Sequence, residues 1–275
     1  MEIQNIILTG YFFILGAIFG SFLNMLVYRI HHGLNLFGRS FCDKIKLQLQ
    51  PKDLIPIVSY IKYRGKCRDC GTKLPVIYPI IEILMGLTAV ISYIFVLNNI
   101  NIIEFTQLIL PWLLVFSLLF VNIYFGYYDY LYWEIDELSV KLALGYVILL
   151  NIVNWVLRMN GSALPFFGDP VSHLLGGLVL AGIIAITFKI TKGGGMGEGD
   201  IYLFAITGLI LGFQAGLIAF MLINVLGSIV GLIKAKKNGK LKGVKIQFGP
   251  FIALGTIIVF IFKSELLSFF FLYPF

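Results

Sequence analysis

Long apolar stretches separated by short polar ones dominate the chain, at about residues 7 to 28, 77 to 97, 107 to 127, 138 to 157, 171 to 190, 201 to 233 and 249 to 272. Most match the roughly 20 residues that a bilayer-spanning helix needs. The sixth holds 33 residues with Gly208, Gly212, Gln214 and Gly216 near its middle. It reads either as one very long helix or as two short ones folded back.

Charge placement separates these alternatives. Of the 21 Lys and Arg, ten fall between Arg29 and Lys73, two are Lys189 and Lys192, and six lie between Lys234 and Lys245. Positive residues collect on the cytoplasmic side, and all eighteen share one side only if the sixth stretch is a hairpin turning near Gln214. The pattern therefore predicts an all-α polytopic membrane protein of about eight transmembrane helices with a small cytoplasmic loop domain. Residues 1–29 form the first span, with its N-terminus outside. Residues 30–76 form a basic cytoplasmic loop domain containing Cys42, Cys67 and Cys70, and residues 77–275 form the remaining membrane core. The first stretch follows an acidic start and is closed by Arg29, unlike a cleaved signal peptide.

Composition agrees. The 275 residues are 59% hydrophobic and 13% charged, with a mean hydropathy of +0.93, far from the roughly 45–50% apolar and 25% charged of soluble domains. The net charge of +7 then points to anionic lipid head groups rather than nucleic acid.

Fourteen carboxylates in so apolar a chain are expensive where they meet the membrane and are candidates for function. Asp200 follows Gly193-Gly194-Gly195-Met196-Gly197-Glu198-Gly199 and opens an apolar helix; its bland reading is a helix N-cap. Asp129 ends the third span in Tyr127-Tyr128-Asp129-Tyr130, on the face predicted for Asp200. Two acids a few ångströms apart in a low-dielectric site hold one proton between them. The ionised member takes a proton from water while the protonated one polarises a carbonyl, and no metal or cofactor is needed. Gly197 and Gly199, lacking Cβ atoms, leave room for a substrate backbone, and Glu198 stands between them. Glu134, Asp136 and Glu137 read as solvated loop charges, and Glu82 as a supporting candidate with an open role. His173 reads as a packed, hydrogen-bonded histidine. A proton-coupled transporter or channel using the same acids as a relay is the rival reading.

Several separated motifs together resemble the type IV prepilin peptidases, GxGD aspartic proteases of the membrane. They are Gly20-Ser21-Phe22-Leu23-Asn24 with Tyr28-Arg29, Pro51 to Pro56, Ser59-Tyr60, Arg64-Gly65-Lys66-Cys67, Tyr78-Pro79 with Glu82, Asp129 with Glu134-Ile135, Gly197-Glu198-Gly199-Asp200, and Phe248-Gly249-Pro250-Phe251. The resemblance implies a multi-pass enzyme of the bacterial cytoplasmic membrane that cuts basic leader peptides from prepilins or pseudopilins at the cytoplasmic face. It makes Asp129 and Asp200 the catalytic pair. It also implies N-methylation of the new N-terminus with S-adenosylmethionine, an activity associated with the N-terminal region.

The chain departs from that pattern in the loop. Full-length loops carry two CxxC pairs, a set suited to four-thiolate zinc. Here Cys67-Arg68-Asp69-Cys70 is complete, whereas Cys42 is followed by Ile45 at the second position. Two readings stay open: a metal site on Cys42, Cys67 and Cys70 with Asp43, His31 or His32 as fourth ligand, and a metal-free loop. Retention of methylation is open with them. Tyr202 and Asp136 also replace a Lys and a Pro of the family pattern, and neither change removes a catalytic acid.

Overall fold

A computed structural model describes residues 2–42, 44–100, 105–164, 166–194, 196–239 and 245–271. Each apolar stretch is helical: α1 (Glu2–His31), α3 (Ile77–Asn99), α4 (Phe105–Tyr132), α5 (Glu137–Met159), α6 (Pro170–Thr191), α7 (Glu198–Leu211), α8 (Phe213–Asn238), α9 (Gly249–Ile261) and α10 (Lys263–Phe271). A five-residue helix, α2 (Val58–Lys62), and a 3-10 turn at Pro51–Asp53 lie in the polar loop. The protein is an all-α, polytopic membrane protein, as its hydrophobic pattern predicts.

Among the described residues six helices are long and apolar enough to cross a membrane, and the bent pair α9 and α10 would make a seventh span. The remaining apolar segment, α7, has 14 residues, or about 21 Å of helix against a hydrocarbon core of about 30 Å. It ends at Gly212, whose φ of +83° favours glycine. The chain then folds back, so that a Cβ on Gly216 would stand 3.6 Å from the Gly208 Cα. The sixth stretch is thus a hairpin, turning two residues earlier than Gln214. The last stretch is not straight. It bends by 85° between α9 and α10, where Lys263-Ser264-Glu265 starts a new helix and the Ser264 hydroxyl donates to Glu265 Oε2 at 2.8 Å.

Two compact units divide the chain, Met1–Ser117 and Leu118–Phe275. In the first, α1 lies along α3 through Gly16 and Gly20. A Cβ at Gly16 would fall 2.4 Å from the Met85 carbonyl oxygen, and one at Gly20 would fall 2.6 Å from the Glu82 Cα. Helices in lipid associate through such small-residue seams because bare backbones can approach closely. Phe12 stacks on Tyr93 above this seam, with ring centroids 4.6 Å apart, and the Trp112 indole N–H donates to the Ala89 carbonyl at 3.0 Å.

In the second unit α6 crosses α7 even more tightly. A Cβ at Gly208 would lie 2.3 Å from the Gly176 carbonyl carbon. The Thr207 and Thr256 hydroxyls, both fully buried, satisfy each other at 3.0 Å. Asp136 caps α5 by accepting from the Ser139 N–H at 2.7 Å, so the residue read as a loop charge has a structural task.

Beyond α1 the polar loop is fastened by Arg29, only 4% exposed. Its Nη1 donates to the carbonyls of Asn35 (3.2 Å) and Leu36 (2.7 Å), and its Nη2 to those of Gly38 (2.7 Å) and Arg39 (3.1 Å). Four carbonyl dipoles solvate this cation in place of a carboxylate. Two similar turns follow. Cys42 N–H donates to Leu47 O and Lys46 N–H to Cys42 O, and Cys67 N–H donates to Thr72 O and Gly71 N–H to Cys67 O.

Candidate functional site

Asp129 lies near the C-terminal end of α4 and Asp200 in the first turn of α7, both in the second unit and both 9% exposed. Asp129 Oδ2 accepts from the backbone N–H of Gly249 at 2.8 Å, at the start of α9, where free N–H groups point outward. The same end of α4 is tied by Gln247, whose Nε2 donates to the carbonyls of Asp129 and Tyr130, each at 2.7 Å. Asp200 is the third residue of its helix and not the N-cap, which is Gly197. Its Oδ2 reaches back to accept from the Gly197 N–H at 2.8 Å, as a third-position acid can. Asp129 is near enough for its charge to act on Asp200. Two buried carboxyl groups from separate helices therefore lie within electrostatic reach of each other, each keeping oxygen lone pairs beyond its one backbone bond.

The neighbouring glycines differ. Gly197 is exposed, and a Cβ there would meet nothing closer than 3.7 Å. At Gly199 the corresponding space is filled by Ile135, 2.6 Å away, so this glycine admits the protein's own side chain. Glu198 is exposed at the start of α7. His173, 1% exposed, has Nδ1 2.8 Å from the Leu209 carbonyl and accepts the Gly168 N–H on Nε2 at 3.1 Å. Both ring nitrogens are engaged by backbone, as expected of a packed histidine.

Glu82 belongs to the first unit. It is 8% exposed, is hydrogen-bonded to Ser21, and accepts the Ile57 N–H on Oε2 at 2.6 Å. Ile57 has φ 63° and ψ −50°, and the N–H of Val58 closes a three-residue turn onto Pro56 O. A β-branched residue there is strained by about 1–3 kcal/mol, and the buried carboxylate holds it. Neither Ile57 nor the Gly249 contact is legible from sequence; the Phe248-Gly249-Pro250 motif gave only the position.

The three cysteines converge. Cys42 Sγ is 3.4 Å from Cys70 Sγ and 3.7 Å from Cys67 Sγ, close to the spacing of about 3.8 Å that tetrahedral zinc–thiolate bonds of about 2.3 Å impose. Each turn brings one strand of the cluster: Cys67 and Cys70 from the second, Cys42 from the first. Ile45 occupies in the first turn the place that Cys70 holds in the second, each followed by a residue with positive φ, Lys46 at 54° and Gly71 at 68°. The donor set thus fits a soft cation with one protein ligand fewer than the four-thiolate pattern. Hydrogen bonds with Thr72 hold the Cys70 thiol down at about 7, whereas burial pushes Cys67 up. Among the described residues neither His31 nor His32 joins the cluster; His32 Nδ1 lies 2.8 Å from Tyr28 O. Asp43 is outside the described residues.

Fold and site together define a helical membrane protein with a buried aspartate pair in one unit and a thiolate cluster in the other. Residues 14–96 match the family model of the bacterial peptidase A24 N-terminal domain. Along most of its length the chain is similar to proteins named prepilin leader peptidase/N-methyltransferase. It is 28% identical to that of Bacillus subtilis (strain 168) over 94% of this chain and 96% of the relative. It is 28% identical to that of Neisseria gonorrhoeae over 90% and 88%, and to that of Legionella pneumophila over 86% and 76%. No solved structure matches. The chain is thus similar over most of its length to proteins named prepilin leader peptidase/N-methyltransferase, the group its motifs resemble.

Proposed function

We propose that this protein is a membrane aspartic endopeptidase that removes the leader peptide of type IV prepilins or pseudopilins at the cytoplasmic face of the bacterial inner membrane, and then N-methylates the new N-terminus. The observation that carries the reading is that Asp129 and Asp200, two buried acids on separate helices, lie within electrostatic reach of each other. The names of the relatives support the same activity and substrate class.

In this reading one aspartate is ionised and takes a proton from water, whose oxygen attacks the scissile carbonyl carbon. The other gives its proton to the carbonyl oxygen. When the tetrahedral intermediate collapses, the C–N bond breaks, the leaving nitrogen takes the proton held by the first acid, and the second recovers its own. Proteolysis needs no cofactor. Gly197, with open space beside Asp200, lets the substrate backbone approach; Glu198 and Gly199 flank it. When bound, S-adenosylmethionine would supply an electrophilic methyl group for the new amine. Cys42, Cys67 and Cys70 would hold zinc as a structural cross-link of the loop. Lys234, Lys236 and Lys237, in the last turns of α8, face anionic lipid head groups.

The test is mass spectrometry of a prepilin-like peptide incubated with the purified protein. Cleavage before the hydrophobic segment, lost in both Asp129→Asn and Asp200→Asn, is the expected result. Full cutting by either variant would overturn the assignment.

A further inference from the structure

Gln247 stands two residues before Gly249 and takes hold of the same aspartate by its backbone. Carbonyls in the last turn of a helix lack full intrahelical partners, and many helices close on a glycine at positive φ. Helix α4 closes on Trp133 instead, at φ 59°, whose N–H donates to the Asp129 carbonyl at 2.9 Å. The Gln247 amide nitrogen carries two hydrogens. It donates to the carbonyls of Asp129 and Tyr130, each at 2.7 Å and 118 and 117 positions away, so both donors of this amide are committed to the end of α4.

The amide stands on a fixed base. Ile246 and Phe248, on either side of it, fill glycine notches of α8: a Cβ at Gly231 would lie 2.5 Å from Ile246 Cδ1, and one at Gly227 would lie 3.1 Å from the Phe248 ring. Lys234, also on α8, donates from Nζ to the Lys245 carbonyl at 3.3 Å, and its ammonium lies 5.2 Å from the centre of the Trp133 ring. Residues 245–249 therefore join α8 to the end of α4. The Asp129 carboxyl itself accepts from the Gly249 N–H. A single hydrogen bond fixes a distance and leaves the group free to swing about it; holding the backbone of the same residue removes that freedom.

We infer that Gln247 is a positioning residue of the aspartate pair: by holding the carbonyls of Asp129 and Tyr130 it fixes the end of α4 against the Gly249 N–H, and so sets where the Asp129 carboxyl stands relative to Asp200. The inference rests on the peptidase reading above. Gln247 acts through the backbone of Asp129 and not on the reacting atoms.

The experiment uses the full chain in nanodiscs. Gln247→Met keeps the length of the side chain and loses its donors. Cutting of a prepilin-like peptide is measured over a range of peptide concentrations, beside Asp129→Asn, and amide hydrogen exchange over residues 129–133 is read by mass spectrometry. In Gln247→Met kcat should fall by about tenfold or more, since misplacement by an ångström costs about a hundredfold, while KM stays within about twofold. Exchange at the end of α4 should quicken, a readout that needs no turnover. A kcat within about twofold of the unsubstituted enzyme overturns the positioning role even where the thermal midpoint drops, because Gln247 is then a helix cap only. A rise in KM with kcat kept, or unchanged exchange over residues 129–133, overturns it too. Full cutting by Asp129→Asn overturns the peptidase reading, and the positioning role with it.

Discussion

The Gly249 N–H points at Asp129 Oδ2 across 2.8 Å, and the carboxylate occupies the room a side chain at 249 would need. A Cβ built there would lie 2.7 Å from Asp129 Cβ and 2.8 Å from its Oδ2. Gly249→Ala should therefore displace the aspartate by a sizeable fraction of an ångström. Catalytic geometry tolerates such shifts poorly, and cutting of a prepilin-like peptide should fall by about a hundredfold in a protein whose circular dichroism is unchanged.

Replacing either acid removes one proton carrier and leaves its partner alone. Asp129→Asn and Asp200→Asn should each lower the cutting rate by at least about a hundredfold. In the unsubstituted enzyme the rate should be bell-shaped in pH, because the pair works only while it holds one proton. A rate that keeps rising through both limbs would contradict the shared-proton mechanism.

The helix seams make a stability prediction. Gly208→Ala would drive a Cβ to 2.3 Å from the backbone of Gly176, and overpacking of this kind costs about 1–3 kcal/mol. Thermal unfolding in nanodiscs should show a lower midpoint. Gly145→Ala is the control: nothing lies within 4 Å of its Cβ position, and alanine's better helix propensity should leave stability equal or slightly higher.

Ile45 stands where the second turn has Cys70, so Ile45→Cys should complete a four-thiolate site. Zinc retained after dialysis against a chelator, read by elemental analysis, should rise relative to the unsubstituted protein. Cys67→Ser should lower it. Equal zinc in all three proteins would show that the cluster binds no metal.

Much of this was legible in the chain. Apolar run lengths and the clustering of Lys and Arg gave the helices and the hairpin, because bilayer thickness and surface charge act directly on sequence. The hairpin turn fell at Gly212 and not at Gln214 because only a residue free to take positive φ closes it, a distinction hydropathy does not carry. The 85° bend at the last stretch was hidden because Lys263, Ser264 and Glu265 are too few to interrupt an apolar average. Asp129 and Asp200 stood out as acids among apolar residues, whereas the contact from Gly249 joins positions 120 apart and has no local signature. Glycine at 199 read as room for a substrate; that room belongs to Ile135, which only packing reveals.

The carbonyl cage around Arg29 bears on how this chain tolerates isoleucine at position 45. A guanidinium never gives up its charge near neutrality, so residues 35–39 stay laced to the end of α1 whatever the thiols are doing. The tether acts upstream of the first cysteine and independently of any ion. With three sulfurs in place of four, one knuckle is looser, yet the segment that carries it stays moored through Arg29.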